Sequence, residues 1–384
     1  MIKLETANLR YVQHTARPPV LAHKEKATRE RVICLSLDVK GYVGMARNIF
    51  RETTSIEAAT MELAEFNRDY LAFSSALISL NGGKLISVEG DGLFVAWKCG
   101  GEGSFSNAVK NAAKTAMQIQ RMLKNLRLES RAGISEGFVS LKSKEASLSS
   151  NAFARAVHFQ ESMKQHYQHG SLGIQKELAK YLREEEFSMT RLEDDSVPYV
   201  VCSPLVKFPV DISLFPENTK IQQYNGICMM TGMPDLYGNI SDGEAQKLHS
   251  MFLKTIREIA GNSVYVEATS KLGALVVFNE FEPNEALRCA QILSDRFPHA
   301  TTGIASAPIV EYGDRHVASF GILYASRLQA AAGKGGTLIE RGVFSDEAAK
   351  GLRIISDLTS YDVRAGDHFM EIFAYTVLNE SYVN

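Results

Sequence analysis

A chain of 384 residues is long for one ordinary domain and favours two; 45% hydrophobic and 22% charged residues fit a globular protein. A net charge of −2 gives no basic field to attract nucleic acid or an anionic membrane, and no apolar run reaches the roughly 18 residues of a membrane span. Five scattered cysteines, Cys34, Cys99, Cys202, Cys228 and Cys289, form no CxxC pair, which argues against a disulfide framework or zinc site and fits a reducing cytoplasm.

Residues 1–30 carry no apolar signal core and read as an N-terminal arm, ending in the solvated charge run HKEKATRER. From Arg31 strand-like and helix-like stretches alternate. RVICLSLD is a continuous apolar run of strand length. SIEAATMELAEFNRDYLAFSSALISL places Ile56, Leu63, Phe66, Tyr70, Phe73 and Leu77 at helical spacing. NGGKLISVEGDGLFVAW reads as two short strands about a glycine turn, NAVKNAAKTAMQIQRMLKNL as a helix, SRAGISEGFVSL as a strand, and NAFARAVHFQESMKQH as a helix. VKFPVDISLFPENTKIQQ, with two prolines, reads as a linker. The same order then returns from Tyr224: NGICMMTG, DGEAQKLHSMFLKTIREIAG, NSVYVEATSKLGALVVF, NEALRCAQILSDRF, HATTGIASAPIVEYG and FGILYASRLQAAAGKGGTLIERGVF. A long-period duplication implies two tandem domains, over 31–205 and 224–384, joined by a linker over 206–223. Strand–helix–strand–strand–helix–strand is the ferredoxin-like split βαβ order, so the fold class is α/β (α+β).

Two acids stand out. Asp38 sits where the first strand gives way to a helix, and Asp91 on the turn between the next two strands. In a split βαβ sheet these places adjoin, so carboxylates far apart in sequence converge. Paired strand-end carboxylates suit Mg²⁺ and leave room for substrate phosphates. Gly90 and Gly92 permit a sharp turn and close approach, and Gly41 with the following helix N-terminus offers backbone N–H groups to phosphate. Each acid alone reads equally as a helix cap or turn residue, and Glu89 reads as a solvated turn residue.

LSLDVKGYV, GGKLISVEGDGLFVAW, GISEGFV and NAFARA, in this order across residues 31–200, resemble the motifs of the class III nucleotidyl cyclases, the adenylate and guanylate cyclase family. The resemblance implies tandem class III cyclase-type domains that convert a nucleoside triphosphate to a 3′,5′-cyclic nucleotide and pyrophosphate. It implies two Mg²⁺ or Mn²⁺ ions held by Asp38 and Asp91. Asn151 would orient the ribose, Arg155 would offset charge at the α-phosphate, and Arg191 would hold the triphosphate. In the second copy Gly232 falls at Asp38 and Leu272 at Asp91, so the metal set is lost. YASRLQAAAGKGG keeps Arg327, with Leu323 at the asparagine position and Arg364 as a distal cation. Base selection in the family falls at Ser87 and at Lys144, or His316 in the second copy; neither purine fingerprint is present, which leaves purine and pyrimidine triphosphates open.

The family builds its site between two such domains. Either the two halves pair within one chain, facing Asp38 and Asp91 toward Arg327, or two chains pair through their first domains, using Asn151 and Arg155. The complete Asn–Arg set favours the homodimer over the intramolecular pseudo-heterodimer. A catalytically inactive nucleotide-sensing or scaffold protein is the alternative function, which the degenerate second half supports. A diguanylate cyclase would need a GG[DE]EF hairpin that NGGKLISVEGD lacks. His166 and His169 share a helix face without a third ligand, and GKGG lacks P-loop spacing.

Overall fold

The computed structural model describes residues 29–141, 144–163, 171–190, 197–209, 221–261, 265–312, 316–344, 359–365 and 368–377. The first half contains β1 (Glu30–Lys40), α1 (Tyr42–Glu52), α2 (Ile56–Leu80), β2 (Lys84–Glu89), β3 (Gly92–Lys98), α3 (Glu102–Asn125), β4 (Glu129–Val139), α4 (Lys144–Leu148), α5 (Asn151–Ser162), β5 (Leu172–Gln175), β6 (Phe187–Thr190) and β7 (Tyr199–Pro204). The second contains β8 (Ile221–Gly232), α6 (Asp242–Ala260), β9 (Tyr265–Thr269), β10 (Gly273–Asn279), α7 (Pro283–Arg296), β11 (Thr301–Tyr312), β12 (His316–Ala318), α8 (Phe320–Ala331), β13 (Thr337–Glu340), β14 (Thr359–Ala365) and β15 (His368–Thr376).

The two sheets repeat one plan. The first runs β2-β3-β1-β4-β5-β7-β6 and the second β9-β10-β8-β11-β13-β15-β14, with β12 also on β11. Four strands of each make the ferredoxin-like core expected from the sequence. The remaining strands extend it on the β4 or β11 side through a parallel pair, β4–β5 or β11–β13. These extensions were not read from the sequence, because strands of four residues are too short to show a period.

β1 works on both faces. Ile33, Leu35, Leu37 and Val39 point into a core under α2 and α3, while Val32 and Cys34 point into a second core. α2 begins where Ser55 caps Ala58 N–H at 3.2 Å, an interaction worth about 1 kcal/mol. Across α2 the stripe Leu63, Tyr70, Phe73 and Leu77 is almost fully buried. α5 lies on β4 at Gly133, where a Cβ would meet the Ala156 carbonyl oxygen at 2.0 Å; Gly303 stands to Ala325 on α8 in the same way, also at 2.0 Å.

The second core belongs to both halves. Phe94, Phe153 and Val157 pack in one cluster with Met233, Phe252, Leu253 and Leu272. Ala64 on α2 joins Val310, Tyr312 and Ala318, and Ala307 and Phe320 enter the first core. Polar ties cross the same boundary: Lys144 to Glu267 at 2.5 Å, Lys271 to Glu161 at 3.1 Å, and Asn151 N–H to Asp242 at 2.6 Å. The two halves therefore pair head to tail within one chain. The sequence reading leaned to pairing between first domains; in this structure the apolar side of α5 packs against the second half of its own chain, the intramolecular arrangement.

Candidate functional site between the halves

The ladders bring the two acids together. Leu37 is paired with Leu93, so Asp38 leaves β1 at the end where Gly92 and Asp91 make the β2–β3 turn. Gly90 takes φ 63°, a left-handed conformation that suits glycine. Gly92 fits where a Cβ would lie 3.3 Å from the Glu89 carbonyl and 3.8 Å from the Leu37 carbonyl. Burial drives the Asp91 carboxyl well above the usual carboxylate range, and the Asp38 charge pushes it further; Arg327 and Arg131 pull it down. Asp91 thus feels a carboxylate and a cation from its own half and a cation from α8 of the other half.

Arg131 on β4 faces Asp38 across the β1–β4 ladder and forms an ion pair with its carboxylate. Among the described residues the Nε atoms of Arg131 and Arg327 are buried without a hydrogen-bond partner. Arg131 was not singled out in the sequence; only its register opposite Asp38 gives it meaning. Among the described residues no three His, Cys, Asp or Glu side chains cluster. The acids are a pair, and the remaining positions around an ion would fall to substrate and solvent oxygens. Two partly enclosed carboxylates that repel one another fit a divalent cation of hard-oxygen preference.

Gly41, φ 81°, opens α1, which has no side-chain cap on its first turn. α1 then presents Val43, Ala46, Arg47 and Phe50 across a narrow cleft to Phe320, Leu323 and Tyr324 of α8. Leu323 lies one helical turn from Arg327, so an apolar side chain occupies the place expected for a ribose-orienting asparagine.

The arginine and asparagine assignments on α5 and α8 do not superpose as the sequence suggested. Gly133 touches Ala156 and Gln160, and Gly303 touches Ala325 and Gln329. α5 and α8 also begin at matching caps, Ser150 and Ser319. Arg155 therefore matches Tyr324, Asn151 matches Phe320, and the counterpart of Arg327 is His158. The exposed Arg155 donates to the Glu136 carbonyl at 2.6 Å on its own domain. The acid equivalences do hold in the ladders: Asp38 opposite Arg131 corresponds to Gly232 opposite Thr301, and Gly92 after Asp91 to Gly273 after Leu272. Leu272 is fully buried in the shared core, so the second interface has apolar packing where the first has an acid.

Ser87 is 4% exposed and its hydroxyl has no hydrogen-bond partner among the described residues. By ladder position its counterpart is Glu267, which accepts from Tyr265 at 2.6 Å and is ion-paired with Lys144. Lys144 is thus engaged across the boundary rather than free beside Ser87. Glu89, expected as a solvated turn residue, instead accepts from Ser270 N–H at 2.5 Å and Ser270 Oγ at 2.7 Å; burial pushes its carboxyl up to about 7 against these bonds. His316 starts β12, and Arg364 lies on β14 opposite Phe369. Arg191, His166 and His169 lie outside the described residues. Lys334 of GKGG pairs with Asp235 at 3.3 Å, and the segment makes the turn between α8 and β13.

Among solved structures, a class III adenylyl cyclase-like ATP-binding protein from Pseudomonas aeruginosa aligns over 84% of this chain and 86% of its own, with a TM-score of 0.57 and 12% identity. The chain has the class III cyclase fold. Partial overlaps include the adenylyl cyclase CyaB from P. aeruginosa (16% identity, 47% of this chain and 95% of that one, TM-score 0.33). Another is the guanylate cyclase domain of RhGC from Catenaria anguillulae in complex with GTP (16% identity, 41% and 98%, TM-score 0.34). No family model and no curated protein sequence matches the chain. In this cyclase fold, no helix among the described residues is long and apolar enough to cross a membrane.

Proposed function

We propose that the interface holding Asp38, Asp91 and Arg327 binds a nucleoside triphosphate with Mg²⁺ or Mn²⁺ and closes it to a 3′,5′-cyclic nucleotide. The observation that carries this reading is the electrostatic meeting of two acids from one half with an arginine from the other. Asp38 and Asp91 would hold the metal, with Arg131 released from Asp38 toward the phosphates. When bound, the metal supplies a Lewis acid that lowers the pKa of the ribose hydroxyl and steadies pyrophosphate. The 3′-oxygen then attacks the α-phosphorus, the bond to pyrophosphate breaks, and the hydroxyl proton passes to solvent. No protein nucleophile is needed, because attack is intramolecular. Arg327 offsets the negative charge that grows on the phosphate oxygens, and the uncapped start of α1 at Gly41 receives phosphate through backbone N–H groups.

With Lys144 paired to Glu267, Ser87 is the available reader at the base position. One neutral hydroxyl discriminates weakly among bases. The partner in this reading is the nucleotide, and the active unit is the single chain as an intramolecular pseudo-heterodimer.

A second reading is nucleotide binding without turnover. Leu323 favours it, since an apolar side chain cannot orient a ribose by hydrogen bonding, and so does the resemblance to a protein described as cyclase-like and ATP-binding. Incubation of the purified chain with ATP, GTP, UTP and CTP in Mg²⁺ or Mn²⁺, with products identified by mass, separates the two. A cyclic nucleotide supports turnover. Metal-dependent binding without product supports the sensor.

A further inference from the structure

Glu89 is the last residue of β2 and stands two before Asp91. Its side chain reaches the other half. Ser270, the first residue beyond β9, donates to it twice: the Ser270 N–H to Oε1 at 2.5 Å and the Ser270 hydroxyl to Oε2 at 2.7 Å. Each carboxylate oxygen is thus engaged by the second half, and bonds to an ionised acceptor are stronger than those between neutral groups. The two hairpin turns that occupy the same place in the two sheets therefore touch, and a carboxylate next to the acid pair makes the contact.

The turn that bears Asp91 is loosely held. Gly90 is exposed at φ 63°, and among the described residues nothing lies within 4 Å of where its Cβ would stand. Beyond it, Tyr70 Oη donates to the Asp91 carbonyl at 3.3 Å, a long bond for a hydroxyl. The opposing turn is anchored. Lys271 and Leu272 follow Ser270 at φ 57° and 55°, left-handed values that residues other than glycine keep only where the surroundings hold them. Here Leu272 is fully buried in the shared core, the Lys271 ammonium pairs with Glu161 at 3.1 Å, and the Lys271 carbonyl accepts from Met233 N–H at 3.2 Å. The anchored turn of the second half steadies the looser turn of the first.

We infer that Glu89 is a positioning residue that sets Asp91 by tying its turn to Ser270 of the second half. With Gly232 and Leu272 at the acid positions, the second half has no such acids of its own; its hairpin serves instead as the anchor for Asp91. The inference rests on the proposed metal and nucleotide site, but its physical content, the hold of Ser270 on the turn after Glu89, exists in the unliganded chain.

The test is hydrogen exchange followed by mass spectrometry on the full unliganded chain. Ser270→Ala removes the hydroxyl bond, and exchange over residues 90–93 should rise about fivefold, the loss of one ordinary hydrogen bond, while β11 and β13 stay unchanged. Ser270→Thr keeps the hydroxyl and should match the wild type. Glu89→Ala should raise exchange further, Glu89→Gln, which can accept from the N–H and donate to the hydroxyl, should stay within about twofold of the wild type, and Ser270→Ala should add nothing in the Glu89→Ala background. Unchanged exchange over 90–93 in Ser270→Ala overturns the inference, and so does an equal effect of Ser270→Ala in both backgrounds. Should Glu89→Ala not fold, Ser270→Ala and its rescue by threonine still decide. A parallel titration with Mn²⁺ and a nonhydrolysable triphosphate should show a metal requirement raised about fivefold in Ser270→Ala, with triphosphate affinity at saturating Mn²⁺ unchanged. Asp242→Ala breaks another tie across the boundary, at Asn151 N–H, and should lower the melting temperature without moving the metal requirement. An equal rise in Asp242→Ala would make Glu89 one interface contact among others and overturn the positioning role. If the wild-type chain binds no nucleotide, the proposed function falls, and the exchange result alone decides the tie.

Discussion

Replacing Arg327 by alanine tests the head-to-tail site more sharply than any change on α5. Arg327 acts on Asp91 from the opposite half, and among the described residues its Nε is buried without a hydrogen-bond partner. A preorganised donor facing charge that develops in the transition state contributes about 3–4 kcal/mol, so Arg327→Ala should lower kcat by about 10²–10³-fold. Arg155 is exposed and bonded to the Glu136 carbonyl of its own domain. Its loss removes about 1 kcal/mol of stability at most and leaves kcat within about twofold. Arg327→Ala should have a second signature. Burial and Asp38 already hold the Asp91 carboxyl high, and Arg327 opposes them. Without the arginine the proton is held more tightly, and metal competes for Asp91 only at higher pH. Turnover is read by mass spectrometry of the cyclic product at saturating Mn²⁺ across pH. If the chain binds without turnover, the same comparison is made on triphosphate affinity. Equal losses in Arg155→Ala and Arg327→Ala, or a loss confined to Arg155→Ala, would refute the reasoning.

Leu323→Asn restores a hydrogen-bonding side chain one turn from Arg327 and should raise kcat, or create measurable turnover, with little change in melting temperature; unchanged or lower turnover in steady-state assays would dissociate Leu323 from the ribose. Mixing Asp38→Ala with Arg327→Ala chains should recover no activity, because the halves of each chain are already paired through shared cores; recovery on mixing would show exchange between chains. Burial raises the Glu89 carboxyl from its ordinary 4.5 to about 7. A raised acid stabilises the fold fully below its ordinary value and loses that contribution as pH rises to the folded value, so melting temperature should fall across this window. Glu89→Gln keeps an acceptor for Ser270 and should flatten the slope, as differential scanning calorimetry would read; an unchanged slope would place the titration elsewhere.

The acid pair was legible because each acid interrupts an apolar pattern at a place that split βαβ topology brings together. Their lost counterparts, Gly232 and Leu272, were legible for the same reason, since hairpins and strand ends fix register locally. The α5–α8 correspondence was not. NAFARA and YASRLQ each contain an arginine beside alanine, but the two arginines differ by three residues once both helices are anchored on Gly133 and Gly303. A slip of nearly one helical turn preserves the apolar face, so sequence pattern cannot resolve it. The ties Lys144–Glu267, Glu89–Ser270 and Lys271–Glu161 join residues far apart along the chain. No local periodicity encodes them, and they decide that the halves pair with each other.

The central claim is that Asp38 and Asp91 hold a metal that carries a triphosphate against Arg327. Its most direct measurement is calorimetric titration of Mn²⁺ with a nonhydrolysable triphosphate into wild type, Asp38→Asn and Asp91→Asn, with folding checked by circular dichroism. The account predicts metal-dependent binding in the wild type and a loss of about 100-fold or more in each folded variant. Wild-type affinity retained by either folded variant would contradict it.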